Sequence, residues 1–396
     1  MMSQYKSTLR ILFIAPYPIY PTWSGGKIRI AKLAESLATL GHEITLLTPW
    51  YLRQRDYFIR QQAQYNTVGK LRLRQVTYPF LWSYLFRDRL LPYSTLTSFH
   101  PGYEKLVAPL LNGYDVIHFE QIPFANLVKY VPSGTLVSYG AQNVELDYIG
   151  DDCPVKALRC CVEAHTMQLE DLLLNNSDLV FAVCREDENR LRRLYRLTNC
   201  SVHIAPNGIS SAVVAHNDTS ILEHKFPGIL LYKRRAIFSG SNVSHNRLAV
   251  KNLVDLVINK SPEIGFIIHG SCSTALNIKE IPDNLFVDSS DDINLFYQYA
   301  SAGTVGLNPI TSGSGTNLKL LHYLSYGLPV LSTPFGMRGY QSLAPNVLVK
   351  DIECFPQILH DECFPLPPNP NSLLRQYAWI RVAKIISDAL LSMRGV

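Results

Sequence analysis

A short glycine-rich stretch in the second half of the chain has the composition of a phosphate-binding loop. Its sequence is Ser312-Gly313-Ser314-Gly315-Thr316-Asn317-Leu318-Lys319, and a predicted helix follows. Small residues at a helix start let a phosphate approach backbone N–H groups, and the helix dipole adds positive potential there. Lys319 adds a positive charge in the first turn. The stretch is neither a Walker loop nor a dinucleotide fingerprint, because GxxxxGK[ST] and a third glycine are absent. A simple tight turn is the alternative interpretation.

A second glycine pair, Gly25-Gly26, follows the first predicted strand and opens the first predicted helix. In a doubly wound domain, ligands bind beyond the carboxyl ends of the strands, which is where this pair lies. Two such helix starts, one in each half of the chain, predict a ligand held between two domains. A flexible loop is the alternative for Gly25-Gly26 alone.

Strands rich in Ile, Leu and Val alternate with helical patterns, which predicts two α/β domains with parallel sheets covered by helices on both faces. The predicted strands are 10–15, 43–48, 116–119, 135–138, 179–183, 236–239, 264–269, 285–287, 304–307 and 329–332, and the predicted helices include 27–40, 155–175 and one or two within 373–393. Gly41 closes the first helix, because glycine adopts the left-handed conformation without steric cost. A polar stretch, 207–225, marks the domain boundary. The predicted domains are therefore 1–207 and 208–372, followed by a C-terminal helical segment, 373–396.

Composition agrees with a globular protein of two domains. The chain has 396 residues, of which 47% are hydrophobic and 17% charged, and it exceeds the size at which one core usually stops growing. Neither a signal peptide nor a transmembrane segment of about 18 apolar residues is predicted, so we expect a cytoplasmic protein. The eight cysteines lack the spacing of a zinc site and are expected to be reduced, structural thiols. A net charge of +5 is too small to imply nucleic-acid binding.

The segment 51–90 is basic and rich in aromatic residues. Eight lysines and arginines oppose only Asp56 and Asp88 there, interleaved with Tyr, Phe and Trp. Such a mixture suits a surface that touches anionic lipid headgroups or an anionic acceptor. A solvated face over ordinary core aromatics is the alternative. The first interpretation predicts a peripheral contact with the inner face of a membrane.

The glycine loops and the stretches between them resemble the retaining family 4 glycosyltransferases, also called glycosyl transferases group 1. The stretch 313–339 is similar to the donor-binding segment of that family, and 18–42 is similar to its N-terminal signature. Four further motifs occur in the family's order: DVIHFE (115–120), QNVE (142–145), SDLV (177–180) and APNG (205–208). The resemblance implies a GT-B fold, in which two Rossmann-like domains face each other across a cleft. It also implies transfer of a sugar from a nucleotide-sugar donor to a saccharide, lipid-linked or other glycoconjugate acceptor, as in polysaccharide synthesis.

The resemblance assigns 1–207 to the acceptor, 208–372 to the nucleotide sugar and 373–396 to a helix that packs back on the N-terminal domain. It implies retention at the anomeric carbon, with no metal and no cofactor besides the donor substrate. Its donor-binding residues are Gly25, Gly26, Ser241, Arg247, Gly313, Ser314, Gly315, Thr316, Asn317, Lys319 and His322. Lys319 would stabilise the leaving diphosphate, and His118 or Glu120 would orient the acceptor or stabilise positive charge. Asn143 and Glu145 fall on the acceptor side, and His118 alone is equally well explained as a hydrogen-bonded histidine at a strand end.

The sequence departs from the family at two places. Many relatives carry two glutamates eight positions apart, where this chain has Ser314 and His322. The second glutamate normally accepts hydrogen bonds from the donor ribose, and a neutral imidazole offers only one acceptor nitrogen for that task. The usual Arg and Lys pair is also not evident, although Arg247 could substitute. A non-catalytic GT-B subunit that binds a sugar nucleotide, or a scaffold, is therefore the main alternative, and a sugar-nucleotide epimerase is a third.

Overall fold

The computed structural model describes residues 8–20, 22, 24–50, 70–77, 101–149, 156–197, 200–210, 219–276, 281–292, 299, 304–361 and 364–395. Within this part of the chain there are two compact units. The first comprises Met1–Thr22, Gly26–Pro206 and Trp379–Val396, and the second comprises Trp23–Gly25 and Asn207–Ala378.

The first unit contains a parallel sheet in the order β3-β2-β1-β4-β5-β6-β7. Its strands are β1 (Arg10–Ile14), β2 (Glu43–Trp50), β3 (Leu71–Thr77), β4 (Val116–Glu120), β5 (Leu136–Ala141), β6 (Leu179–Ala182) and β7 (Ser201–Ile204). Its helices begin with α1 (Gly25–Thr39) and continue with α2 (Pro101–Val107), α3 (Glu145–Ile149), α4 (Arg159–Asn175) and α5 (Arg185–Leu194). Strands β4 and β6 are buried along their whole length, which explains the continuous apolar sequence of β6; β4 also buries the polar residues His118 and Glu120. The strand order reverses between β1 and β4, so ligands are expected at the carboxyl ends of these two strands.

The second unit contains a parallel sheet in the order β10-β9-β8-β11-β12-β13. Its strands are β8 (Arg234–Ser239), β9 (Ile264–His269), β10 (Leu285–Asp288), β11 (Thr304–Asn308), β12 (Val330–Ser332) and β13 (Leu348–Val349). Its helices are α6 (Ser220–Lys225), α7 (Ser244–Leu256), α8 (Leu318–Ser325), α9 (Phe355–Asp361) and α10 (Pro370–Tyr377). Here the order reverses between β8 and β11. The corresponding ligand position is at the carboxyl ends of β8 and β11.

The last helix, α11 (Trp379–Arg394), belongs to the first unit. It buries Trp379, Val382 and Ile386, and the hydroxyl of Ser387 lies 2.8 Å from Nε2 of His42. His42 directly follows Gly41, whose φ of 105° lets helix α1 end in paired bonds from the two N–H groups to Ala38 and Leu37. The turn after α1 therefore also provides an attachment point for α11.

The predicted fold class is confirmed, since both units are parallel α/β sheets of Rossmann type. Several boundaries differ. Helix α1 begins at Gly25 instead of 27, and the region predicted as the start of a helix at 155 has a 3-10 turn, Lys156–Leu158, before α4. Strands β3, β7 and β13 were not predicted. All three are edge strands, and β13 is only two residues long. None of them carries the buried apolar run that identifies a central strand.

Most of the basic segment 51–90 lies outside the described residues. The described part is 70–77, where Arg72 and Arg74 are exposed on β3. No helix in the described part of the chain is long and apolar enough to cross a bilayer.

Candidate functional site

The glycine-rich loop of the second unit lies between the carboxyl end of β11 and the start of α8. Gly313 and Gly315 have φ angles of 108° and 74°, a region that side chains other than glycine rarely adopt. A Cβ atom on Gly313 would also lie only 3.2 Å from Nδ1 of His245. The two glycines are therefore required by the path of the loop, at the ligand position expected from the strand order.

Hydrogen bonds within the second unit hold this loop in place. Arg338 donates to the carbonyl of Gly313 (3.2 Å), and Asn207 donates to the hydroxyl of Thr316 (2.9 Å). The side chain of Asn317 donates to the carbonyl of Gly336 (3.3 Å). The side chains of Thr316 and Asn317 thus fix the conformation of the loop. Ser314, which follows Gly313 in the sequence, is half-buried.

Lys319 holds its ammonium group against the end of β8. Its Nζ donates to Oδ1 of Asn246 at 2.8 Å and lies 4.1 Å from the centre of the Phe238 ring. Burial lowers the pKa of Lys319 to about 7. A positive charge that is poorly solvated gains more than an exposed one from an anionic ligand, because the ligand replaces the missing water. The position and environment of Lys319 suit contact with a phosphate.

The start of α7 lies against the same loop. His245 is half-buried, and burial, followed by the charges of Lys319 and Arg247, lowers its pKa to about 3, so its imidazole is neutral at pH 7. Asn246 donates to the carbonyl of Ser241 (3.0 Å), and Arg247 donates to Oδ1 of Asn242 (2.9 Å). The predicted residues Ser241 and Arg247 therefore lie on the loop and helix that provide the partner of Lys319.

His322 lies one turn after Lys319 in α8 and is half-buried. Burial lowers its pKa to about 4, so this side chain is also neutral at pH 7. Residues three apart share a helix face, as predicted for this pair. Gly25, the remaining predicted donor-binding residue grouped with this unit, is exposed at the start of α1, and a Cβ atom there would meet nothing within 4 Å.

In the first unit, His118 and Glu120 form a buried pair on β4. Nε2 of His118 lies 3.2 Å from Oε1 of Glu120, and its Nδ1 lies 2.8 Å from the hydroxyl of Ser138 on β5. Burial raises the pKa of Glu120, but the hydrogen bond and charge of His118, the charge of Arg29 and the bond from Gln142 outweigh it, so the net shift is downward. Both residues are only 1% exposed. Both side chains are therefore part of the protein interior at the carboxyl end of β4.

Gly26 lies against a polar group formed by the residues that follow β1, β4 and β5. A Cβ atom on Gly26 would lie 2.5 Å from the hydroxyl of Tyr17 and 2.9 Å from Oε1 of Gln142. Nε2 of Gln142 donates to Glu120 (2.7 Å), and Nε2 of Gln121 donates to Gln142 (3.4 Å). The second glycine of the pair therefore leaves room for polar side chains, at the ligand position of the first sheet.

The two predicted acceptor-side residues, Asn143 and Glu145, lie one and three positions after Gln142. Asn143 is half-buried, whereas Glu145 is 3% exposed and begins α3. Its backbone N–H donates to Glu170 (3.2 Å), which also accepts from Tyr139 and Tyr195. Burial and then the charge of Glu170 raise the pKa of Glu145 well above its usual range.

The residues that complete both groups were not assigned a role from the sequence. They are Tyr17, Arg29, Gln121 and Gln142 in the first unit, and Asn207, Phe238, His245, Asn246 and Arg338 in the second. Most of them follow a strand, which is a usable signal once the strand order is known. The described residues contain no group of three or more His, Cys, Asp or Glu side chains that could hold a metal ion.

The sequence matches no family model and no curated protein. The fold, however, is similar to solved structures over nearly the whole chain. HepE of Anabaena, solved in complex with UDP and glucose, matches with a TM-score of 0.65 and 12% identity, covering 97% of this chain and 100% of HepE. WaaG, a glycosyltransferase involved in lipopolysaccharide biosynthesis, matches with a TM-score of 0.60 and 15% identity, covering 96% and 95%. A UDP-forming trehalose-phosphate synthase from Burkholderia xenovorans matches with a TM-score of 0.57 and 10% identity, covering 98% of each chain. Identities this low show the fold alone, and the chain has the GT-B fold of these proteins.

Proposed function

We propose that this protein is a glycosyltransferase that moves a sugar from a nucleotide-sugar donor to a saccharide, lipid-linked or other glycoconjugate acceptor. The observation that carries the proposal is the convergence of Lys319 with the loop of Gly313 and Gly315 at the ligand position of the second sheet. HepE, a protein of similar fold, was solved with UDP and glucose. A donor of the same chemical class is therefore the natural ligand to test.

The chemistry needs an anion site because the bond between the sugar and the diphosphate breaks with its electron pair on phosphate. Lys319 and the N–H groups at the start of α8 would stabilise that charge. The acceptor hydroxyl then forms the new bond to the anomeric carbon, and its proton passes to the departing phosphate oxygen. Attack on the leaving-group face would retain the anomeric configuration. This route needs no protein nucleophile and no metal, so activity should persist in EDTA.

Incubation with UDP-, GDP- and ADP-sugars tests the proposal directly. At least one should raise the melting temperature and be slowly hydrolysed, and Lys319→Met should abolish both effects. Lys251→Met is the matched control, because Lys251 is an exposed lysine of the same unit. The proposal is wrong if the wild-type protein responds to no nucleotide or nucleotide sugar.

A non-catalytic subunit is a second candidate, favoured by the neutral His322 where relatives carry a ribose-binding glutamate. It would bind a nucleotide without hydrolysing or transferring its sugar. In that case a nucleotide sugar should stabilise the wild-type protein without being consumed, whereas hydrolysis or transfer of its sugar that is lost in Lys319→Met would exclude this candidate.

A peripheral contact with an anionic membrane through 51–90 stays a proposal. Exposed Arg72 and Arg74 support it. Co-sedimentation with anionic vesicles should fall with added salt, and no salt-sensitive binding would dismiss the contact.

A further inference from the structure

Both oxygens of the Glu120 carboxylate are bonded within the protein. Oε1 lies 3.2 Å from Nε2 of His118, and Oε2 accepts from Nε2 of Gln142 at 2.7 Å. Glu120 is 1% exposed, and Gly140 opposite it on β5 lacks the Cβ atom that would come within 2.9 Å of the carboxylate. Because the side chain is buried and both oxygens already face protein partners, this carboxylate is not presented to a substrate. The influence of Glu120 must therefore pass through its neighbours.

The bond from Gln142 determines which end of its amide faces the ligand position. An ionised carboxylate only accepts hydrogen bonds, so the NH2 end of Gln142 must face Glu120. Its oxygen then points the other way, accepts from Gln121 and would lie 2.9 Å from a Cβ atom on Gly26. Gln142 itself is 7% exposed. The orientation of this amide is thus fixed by a charge behind it.

The surroundings keep that charge in place. Burial alone would raise the pKa of Glu120, yet His118 and the positive charge of Arg29 lower it overall. Arg29 is 1% exposed in α1 and donates to the carbonyl of Pro206 (3.1 Å). Gln121, the residue after Glu120, has a φ of 62°. This backbone conformation is energetically unfavourable for residues other than glycine. Strain of this kind commonly accompanies functional sites.

We propose that Glu120 is a positioning residue, which orients Gln142 so that its amide oxygen, beside Tyr17 and Gln121, accepts a hydrogen bond from a sugar hydroxyl of the substrate. The inference rests on the proposed function and goes further in assigning the contact to Gln142. Glu120 is then not a catalytic residue. Through Gln142, the charge of Glu120 determines that a hydrogen-bond acceptor, and not a donor, faces Gly26.

The orientation can be measured without any enzymatic activity. In protein labelled with ¹⁵N in its glutamine side chains, the Gln142 signal is identified by its loss in Gln142→Leu. In Glu120→Ala, hydrogen exchange of this amide should accelerate about tenfold or more, because its charged acceptor is gone. Asp361→Ala is the matched control, since it removes the carboxylate partner of Gln357 in the second unit and should leave Gln142 unchanged. Unchanged exchange in Glu120→Ala would overturn the proposal.

A double-mutant cycle tests whether Glu120 acts through Gln142, using the nucleotide sugar that gives turnover. Glu120→Ala and Gln142→Ala should each lower kcat/KM by about 10- to 100-fold, the cost of a misplaced contact. The double variant should be no slower than Gln142→Ala alone, whereas multiplied losses would refute the relay. Glu120→Gln keeps an acceptor oxygen and should recover most of the activity. Glu120→Leu, which removes both acceptor oxygens but fills the volume, replaces Glu120→Ala in both experiments if the alanine variant does not fold. If no sugar is ever transferred, the proposed function fails while amide exchange still decides the positioning.

Discussion

Lys319 is a lysine whose charge depends on pH in the range where enzymes are usually assayed. Burial lowers its pKa to about 7, so between pH 7 and 9 the empty site progressively loses its positive charge. A diphosphate stabilises the protonated form and raises that pKa, so binding must take up a proton in this range. UDP affinity should fall by up to about tenfold per pH unit above pH 7.

Isothermal titration calorimetry from pH 7 to 9, in buffers with different ionisation enthalpies, measures both the affinity and the proton uptake. Lys319→Met should bind UDP more weakly and without this pH dependence, whereas Lys251→Met should behave like the wild type. A wild-type affinity that stays constant from pH 7 to 9 would contradict the assignment of Lys319 to the phosphate.

His322 allows a second test at the same scale. Its imidazole is neutral at pH 7 and has one acceptor nitrogen, while a carboxylate can accept from both ribose hydroxyls. His322→Glu should strengthen UDP binding by about 3- to 10-fold, the worth of one added hydrogen bond. The gain should be smaller for 2′-deoxy-UDP, which lacks one hydroxyl. Equal or weaker binding of UDP to the variant would place the ribose elsewhere.

The two residue groups differ in how much of them the sequence could predict. The loop of Gly313 and Gly315 is a local feature, so its composition and the helical pattern after it are sufficient to predict a glycine-rich loop at the start of a helix. Asn246, the partner of Lys319, is 73 positions away, and only the adjacency of β8 and β11 brings them together. Likewise, nothing local indicates that Glu120 bonds to Gln142 instead of facing a ligand, because that depends on the pairing of β4 with β5.

Among the elements, α11 depends on the protonation state of His42. Nδ1 of His42 accepts from the N–H of Leu9 (3.2 Å), so its Nε2–H donates to Ser387 of α11. Burial, and then the charge of Lys70, lower the pKa of His42. The unfolded chain therefore binds the proton more readily. The contribution of His42 to stability is present above its unfolded pKa of about 6.5 and is lost as the pH falls towards the folded value.

Urea unfolding at pH 7.5 and 5.5 tests this dependence. The free energy of unfolding should drop less on acidification in His42→Gln than in the wild type, because the variant has no group to titrate at this position. His360→Gln removes an exposed histidine and should follow the wild type. Ser387→Ala should cost about 1 kcal/mol at pH 7.5. An equal acid loss in the wild type and His42→Gln would remove His42 from this role.

Elements were predicted well where both faces of the sheet are covered. Strand β6 and residues 264–268 of β9 are continuous apolar runs that stand out in any sequence. The edge strand β3 alternates instead, with Arg72 and Arg74 exposed between leucines, and its position beside β2 comes from pairing over more than 20 residues. Edge strands are held by one neighbour and a half-covered face, so their sequences carry a weaker signal.

At the scale of the whole molecule, the chain returns to its first unit after completing the second. Helix α11 lies in the first unit together with β1 and β6, and Arg394 near its end donates to the carbonyl of Asp115. The last 18 residues therefore contribute to the core of a unit whose other residues lie more than 170 positions earlier. A defect in α11 should weaken the first unit selectively.

Neighbouring isoleucines in α11 provide a matched test of this selectivity. Ile386 is 1% exposed, whereas Ile385 is 39% exposed. Ile386→Ala should cost about 2–5 kcal/mol through lost burial and the cavity it leaves, while Ile385→Ala should stay within about 0.5 kcal/mol of the wild type. Hydrogen exchange followed by mass spectrometry should show faster exchange in β1, β4 and β6 of Ile386→Ala and unchanged exchange in β8, β9 and β11. Equal acceleration in both sheets would mean that the two units unfold as one and that α11 does not stabilise the first unit alone.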